Sequence, residues 1–398
     1  MLPCFFPNIT FRIYEIDTAP FSVIASLVII FICNKRYPKF LLWYLIPTIA
    51  ALPWLIEAAG DWSYLFRQLA IYSTVPIVSV ATYKAISAGV NINKLVKISI
   101  IIAIAGAVIQ KVVSQDVLDV FVWSRGDETR GSSSFFAEPS MFGLTLIMFC
   151  MIYIASCKMG EIRFYVILML IISLVFLAQS ATAIMVALAV LSIFYVVNLS
   201  VLKMMVYGFL LAVLIQFAWT IIINYPFEES YRVISLIEIV SNNDSLLSLI
   251  NTDASVSERF YHIYISLNSS IENYFLPHGF YAFIDEVIKI KSTEELLWWN
   301  NPTNKIMSGI GGAFFEIGLA AVVFIIFPFY MVFKFRKKER MTLLIAVSGA
   351  ILVYLNSFNF ATPYYALLIG VIAFKLHNVA INNADKDYSK IEFKVPRI

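Results

Sequence analysis

Residues 307–340 read MSGIGGAFFEIGLAAVVFIIFPFYMVFKFRKKER. From Met307 to Phe333 the only charge is Glu316, and the next seven residues carry Lys334, Arg336, Lys337, Lys338 and Arg340. An α-helix rises about 1.5 Å per residue, so roughly 20 apolar residues cross the hydrocarbon layer of a bilayer. A longer apolar run ending in clustered cations reads as a membrane helix with its basic end in the cytoplasm, where Lys and Arg concentrate.

The rest of the chain agrees with a lipid solvent. Its 398 residues are 60% hydrophobic and 14% charged, with a mean hydropathy of +0.82, where a water-soluble domain carries about 25% charged residues. That balance excludes a cytosolic enzyme, a nucleic-acid-binding protein and a secreted disulfide scaffold. Apolar runs at 18–33, 40–59, 69–90, 98–113, 141–157, 164–178, 184–202, 204–223, 307–333, 341–356 and 364–376 predict eleven spans, within a range of ten to twelve. The fold class expected is therefore an all-α polytopic membrane protein. The aromatic-rich stretch 1–17 is expected in the interface, and with no basic n-region or small-residue cleavage site the first span is expected to stay in place.

Charge sorts the connecting segments into two classes. Asn34–Lys39, Asn91–Lys97, Lys158–Arg163, Lys203, Lys334–Arg340 and the tail from Lys375, together with Lys84, hold 19 Lys/Arg against 5 Asp/Glu; everything else holds 10 against 21. The classes alternate at every expected span, which places the basic class inside and the acidic class, including the N-terminus, outside. The organisation that follows is N-terminal spans in 1–113, a first outside loop in 114–140, central spans in 141–223, a large outside loop in 224–306, C-terminal spans in 307–376 and a loose cytoplasmic tail in 377–398. Long connections usually carry function, so the machinery is expected to face outward.

Several chemistries are absent from the sequence. It contains no phosphate loop of the G-x-x-x-x-G-K-[ST] type. His262, His278 and His377 have no i, i+4 partner, and Cys4, Cys33, Cys150 and Cys157 show no paired ligand spacing, so neither a metal site nor a disulfide framework is indicated.

Ser124 to Gly143 read SRGDETRGSSSFFAEPSMFG. Arg125 and Arg130 are each followed by glycine, which lets backbone approach a bulky anion, while a guanidinium presents a planar fork of donors matched to phosphate oxygens. The segment also has a plain reading: Glu138 and Pro139 suit a helix start, and the arginines are solvated beside Asp127 and Glu128. In the second loop, Ser255-Val-Ser-Glu258 has the form of a capping box. A helix starting there puts Phe260, Ile263, Tyr264, Leu267 and Ile271 on one apolar face and Arg259, His262, Ser266 and Ser269 on the opposite stripe. A cation and an imidazole one turn apart suit an anionic leaving group and a proton acceptor; a solvated polar face is the alternative. Pro277-His278-Gly279 is expected to end the helix in a turn, and Trp298-Trp299 to anchor at the interface. Glu57, Lys111 and Glu316 are second-tier candidates as charges at span ends, Glu316 following Gly309, Gly311 and Gly312, which permit close helix packing.

Taken together, these residues resemble the O-antigen polymerase family of bacterial surface-polysaccharide enzymes. The arginine-glycine segment ending in Phe135-Phe136-Ala137-Glu138-Pro139-Ser140 is similar to that family's R-G-x-F-x-E-P-S pattern. The serine-rich start of the second loop, Arg259 and Pro277-His278-Gly279 resemble its S-x-x-x-R to P-x-x-G progression, and Gly309 to Gly318 its small-residue, glutamate-containing span start. The likeness covers 124–143 and 253–318 by motif; it departs after Gly279, where many members have G-x-G and this chain has Phe280 and Tyr281.

The resemblance implies a glycosyltransferase-C-like enzyme of the inner membrane, active on the periplasmic face, with no nucleotide sugar, cofactor or required metal. It implies undecaprenyl-diphosphate-linked repeat units as substrates, with a chain-length regulator and a flippase as partners. Within it, Arg130 and Arg259 are expected to hold the diphosphate with Arg125 assisting, and Glu138, or failing that His262, to position or deprotonate the acceptor hydroxyl. His278 and Glu316 stand behind these as substrate-binding candidates. Two alternatives remain open: an O-antigen ligase using the same carrier, and a lipid-linked oligosaccharide flippase, against which the long outside loops and sparse intramembrane charge argue.

Overall fold

The computed structural model describes residues 1–10, 20–55, 62–122, 131–157, 164–198, 254–291 and 304–392, which contain helices and turns and no strand. In chain order the helices are α1 (Phe21–Ile32), α2 (Leu45–Ala51), α3 (Trp62–Ser87), α4 (Ile92–Val112), α5 (Pro139–Ser156), α6 (Phe164–Ser173), α7 (Ala181–Asn198), α8 (Ala254–Glu272), α9 (Phe283–Lys291), α10 (Gly309–Ile317), α11 (Val323–Phe333), α12 (Lys337–Asn356) and α13 (Tyr364–Glu392). Among the described residues, five segments are long and apolar enough to cross a membrane: Arg67–Ser87, Ile92–Val112, Pro139–Ser156, Gly309–Phe333 and Glu339–Asn356. Shorter apolar helices stand at Phe21–Ile32, Lys39–Trp54, Val166–Ala178, Ala181–Phe194 and Tyr364–Val379. The span expected at 204–223 lies outside the described residues.

Helix α5 is the centre of the bundle. It buries residues on every side, Phe142, Leu144, Met148, Phe149, Ile152 and Tyr153 among them. Between apolar helices in lipid, association depends on close van der Waals packing and small residues rather than on expulsion of water. Two glycines show this here. A Cβ on Gly349 of α12 would stand 2.6 Å from the Met151 sulfur of α5, and one on Gly370 of α13 would stand 2.6 Å from the Thr82 Cβ of α3.

The segment expected at the interface is instead interior over residues 4–8. Cys4 and Phe5 are wholly buried, the Phe5 ring packs 5.7 Å from Phe149, and the Tyr364 hydroxyl donates to the Phe5 carbonyl at 3.2 Å. The aromatic rings fill space between α5 and α13, where they gain more contact than at a headgroup layer. The tail also differs from a loose end: α13 continues through it to Glu392, since no glycine or proline interrupts the sequence from Val371 to Glu392.

Helix α8 starts at Ala254, one residue before the expected cap at Ser255, and its expected faces are reversed. Phe260, Tyr264 and Ile271 are exposed, whereas Arg259, His262, Ser266, Ser269 and Ser270 are buried. The reason is steric. The serine side of α8 lies against α10 so closely that a Cβ on Gly311 would come within 2.2 Å of the Ser266 hydroxyl, and the hydroxyls of Ser266 and Ser270 bond back to the carbonyls of His262 and Ser266 at 2.6 Å each. Small side chains with internal hydrogen bonds pack there; an aromatic face does not fit. The apolar stretch 307–333 is itself broken at Gly318, whose φ of +59° starts a 3-10 turn over Gly318–Val322.

Candidate functional site

The loop entering α5 is anchored along its length. Ser132 N–H donates to the Leu177 carbonyl at 2.8 Å, Ser134 N–H to the Gln110 side-chain oxygen at 2.6 Å, and the Ser134 hydroxyl to the Ala103 carbonyl at 2.6 Å. Ser132, Ser133, Ser134, Phe136 and Ala137 are buried, so this stretch is not a solvated loop. Gly131 passes so close to the end of the π turn Leu174–Ala178 that a Cβ would lie 2.2 Å from the Ala178 carbonyl oxygen. Past that turn Gln179 adopts a left-handed conformation and releases the chain into α7.

This anchoring delivers Glu138 and Ser140 to the buried Arg259. One guanidinium nitrogen donates to the Ser140 hydroxyl at 2.8 Å and the other to the Thr182 hydroxyl at 3.2 Å; the Glu138 carboxylate stands 3.8 Å away. Ser140 in turn donates to Glu138 at 3.1 Å. Glu138 holds the N-cap position of α5 but makes no capping hydrogen bond there, so its carboxylate is directed at the arginine rather than at the helix.

Two clefts meet at this pair. The first, about 420 Å³ including its open mouth, is lined by Gly131, Glu138, Ser140, Ser180, Thr182 and Arg259. The second, about 580 Å³, shares Glu138 and Arg259 and adds Asn8, Lys305, Asn359 and Thr362. The N-terminal turns of α5, α7 and α8 all contribute to the first cleft, through Pro139, Ala181 and Val256. The positive dipole ends of three helices, beside a buried guanidinium, make a favourable setting for an anion.

The clefts draw on residue 8 and on 131–141, 179–182, 256–259, 305–307 and 357–362. Charge sorting of the sequence puts each of these segments, or the span end adjoining it, on one face, and the structure gathers them in one place.

The other candidates stand elsewhere. Arg125 and Arg130 lie outside the described residues, although Gly131, next to Arg130, lines the first cleft. His262 is buried one turn from Arg259 without lining either cleft. Its Nδ1 accepts the Met307 N–H at 3.3 Å, and its ring stacks on Phe283 with centroids 5.4 Å apart. Burial, reinforced by the Lys305 and Arg259 cations, pulls its pKa down to about 3. A neutral imidazole with Nδ1 occupied is suited to fixing the start of α10 against α8, and poorly suited to taking up a proton.

His278 stacks on Phe315 at 4.4 Å, its backbone N–H donates to the Phe315 carbonyl at 2.9 Å, and burial lowers its pKa. The Pro-His-Gly turn therefore docks the loop onto the C-terminal end of α10. Glu316 is buried and accepts the Tyr72 hydroxyl of α3, which ties two membrane helices together away from the clefts. Lys111 donates to the Phe176 carbonyl at 3.1 Å, beside the π turn. Glu57 and Trp298-Trp299 lie outside the described residues.

The residues that sequence reading passed over are Thr182, Ser180, Asn8, Lys305, Asn359 and Thr362. Their signal is weak but present: Gln179-Ser180-Ala181-Thr182 sets three polar side chains between two apolar runs, at a connection charge sorting places outside. No protein-family model matches the chain, and no curated protein is significantly similar to it.

Proposed function

We propose that this chain is a polysaccharide polymerase of the O-antigen type. In this reading it transfers a growing glycan from undecaprenyl diphosphate to a sugar hydroxyl of the next lipid-linked repeat unit, on the periplasmic face of the inner membrane. The observation that carries the reading is the meeting of two distant motif pieces, the Glu138-Pro139-Ser140 segment and Arg259, through a 2.8 Å hydrogen bond between residues 119 positions apart. Each piece supports the family resemblance separately, and a shared site is what a common chemistry requires.

The chemistry follows from the charges. As the acceptor oxygen bonds to the anomeric carbon, the bond from that carbon to the diphosphate breaks and its electron pair leaves on the diphosphate. Arg259, fixed by Ser140 and Thr182 before substrate arrives, stabilises that developing charge without reorganising. Helix N-termini in the first cleft add to the same field, and the family resemblance assigns Arg130 to the diphosphate as well. Glu138 receives the hydroxyl proton. Eleven spans of a glycosyltransferase-C-like arrangement would bring the clefts to the outer face.

The test uses cells lacking the chain, complemented with variants. Arg259→Ala should abolish chain extension and leave single capped units while membrane insertion is retained. Arg259→Lys should also be poor, because a point charge does not reproduce the fork. Normal glycan ladders from Arg259→Ala refute the reading; long chains stranded on the carrier in the deletion strain identify a ligase, and flipping of glycan without extension in liposomes identifies a transporter.

A further inference from the structure

We infer that the second cleft is the acceptor site, taking the neutral sugar hydroxyls of the incoming unit, and that Glu138 and Arg259 form the wall between it and the diphosphate site; this rests on the polymerase reading above. The two clefts differ in chemistry. The first is built from helix N-termini and hydroxyls around a guanidinium. The second is lined, beyond the shared pair, by Asn8, Ser357, Asn359 and Thr362 together with apolar Ile306 and Phe358. Residues that carry amides and hydroxyls, mixed with apolar ones, match a sugar's alternation of hydroxyl groups and C–H faces.

Two further observations support this. Among the described residues nothing hydrogen-bonds to the buried side-chain oxygen of Asn359, and a buried acceptor of this kind stays unfavourable until a donor reaches it. A sugar hydroxyl entering the cleft is such a donor. The wall carrying Asn359 is also rigid. A Cβ on Gly309 would lie 2.0 Å from the Phe358 carbonyl, Thr362 N–H bonds to the Asn359 carbonyl at 3.1 Å, and the Tyr354 hydroxyl donates to the Thr362 carbonyl at 2.6 Å. Groups held this firmly lose little entropy on binding. Lys305, exposed where it borders the cleft, places a cation where an acceptor still bearing its own carrier diphosphate has use for one.

Geometry gives the shared wall its role. The donor's anomeric carbon in the first cleft and the acceptor oxygen in the second approach each other across Glu138 and Arg259. The oxygen–carbon bond forms there, the carbon–diphosphate bond breaks toward Arg259, and the acceptor proton passes to Glu138.

The experiment titrates full-length protein in nanodiscs with two probes by calorimetry. One is the free oligosaccharide released by mild acid from the lipid-linked unit that accumulates in cells lacking the chain; the other is inorganic diphosphate. Asn359→Ala should weaken oligosaccharide binding about tenfold, the effect of one hydrogen bond of roughly 1.4 kcal/mol, and leave diphosphate binding unchanged. Thr182→Val should do the reverse. Asn8→Ala, in a separate segment of the same cleft, gives a second measurement should Asn359→Ala fail to fold. If wild-type protein binds both probes and neither asparagine variant affects the oligosaccharide, the acceptor assignment is overturned while the polymerase reading stands. If wild-type protein binds neither probe, the polymerase reading fails and the assignment falls with it.

Discussion

Replacing Gly131 with alanine tests whether the loop before α5 must touch the turn after α6 for the site to exist. The added Cβ would stand 2.2 Å from the Ala178 carbonyl oxygen and 2.6 Å from both the Ala178 carbonyl carbon and the Leu177 carbonyl oxygen. All three are backbone atoms, so no side chain can rotate aside. Restoring an ordinary contact requires about 1 Å of backbone movement in a close-packed interior, at a cost of about 1–3 kcal/mol. That movement strains the 2.8 Å bond from Ser132 to Leu177 and carries Glu138 and Ser140 away from Arg259. A misplacement of about 1 Å at a catalytic constellation lowers rate on the order of 100-fold. The assay is chain extension by purified protein on lipid-linked units, with the thermal midpoint measured in parallel. Gly89→Ala is the control: its φ of +97° strains an alanine, but nothing lies within 4 Å, so stability should fall modestly with turnover unchanged. Wild-type turnover in Gly131→Ala would show that the contact does not position the site.

Three further outcomes are expected. Tyr72→Phe leaves the buried Glu316 carboxylate without the hydroxyl that now bonds it, so the variant should lose about 1–3 kcal/mol of stability, while Glu316→Gln, which retains an acceptor, should lose less; equal midpoints for Tyr72→Phe and wild type would remove this pair from the fold's support. Since the folded pKa of His262 lies near 3 against an ordinary 6.5, its unfolded form binds more protons between those values, and its contribution to stability, complete above about pH 6.5, should decline as pH falls toward 3; His262→Gln should flatten the wild-type fall in midpoint between pH 7 and pH 4.5, and an unchanged slope refutes the assignment. Ser266→Leu should disrupt the α8–α10 contact and unfold the loop, whereas Phe260→Ser on the exposed face should be tolerated; the opposite order by limited proteolysis would restore the reversed faces.

How far the sequence speaks depends on the kind of signal. Lipid as solvent was legible in Met307–Phe333 because length and charge are one-dimensional quantities that a bilayer reads directly. Charge sorting groups the segments well enough that every cleft residue comes from a segment, or a span end, of a single class. Glu138 and Arg259 stand out in the sequence only as separate motif pieces; that they meet is a fact of the fold. What periodicity misjudged was the direction of α8. It assigns the aromatic side inward, a rule for helices in water, while the fold turns the serines inward because Gly311 permits a contact that only small side chains make. His262 was read by its spacing from Arg259, and spacing says nothing of the Met307 N–H that occupies its ring nitrogen. Asn8 and Asn359 were invisible for a different reason: each is a single polar residue, and only three-dimensional proximity makes them members of one set.

The burial of Phe5 beneath Tyr364 joins positions 359 residues apart, and the same closure brings Asn8 beside Asn359 and Thr362. A ribosome delivers these pieces at opposite ends of synthesis, so the second cleft is incomplete until α13 has entered the bilayer and the early segment has closed upon it. A translation product halted before Tyr364 carries Glu138 and Arg259 yet lacks that closing contact. Completion of the second cleft is thus a late event in the folding of this molecule, set by the order in which its two ends are made.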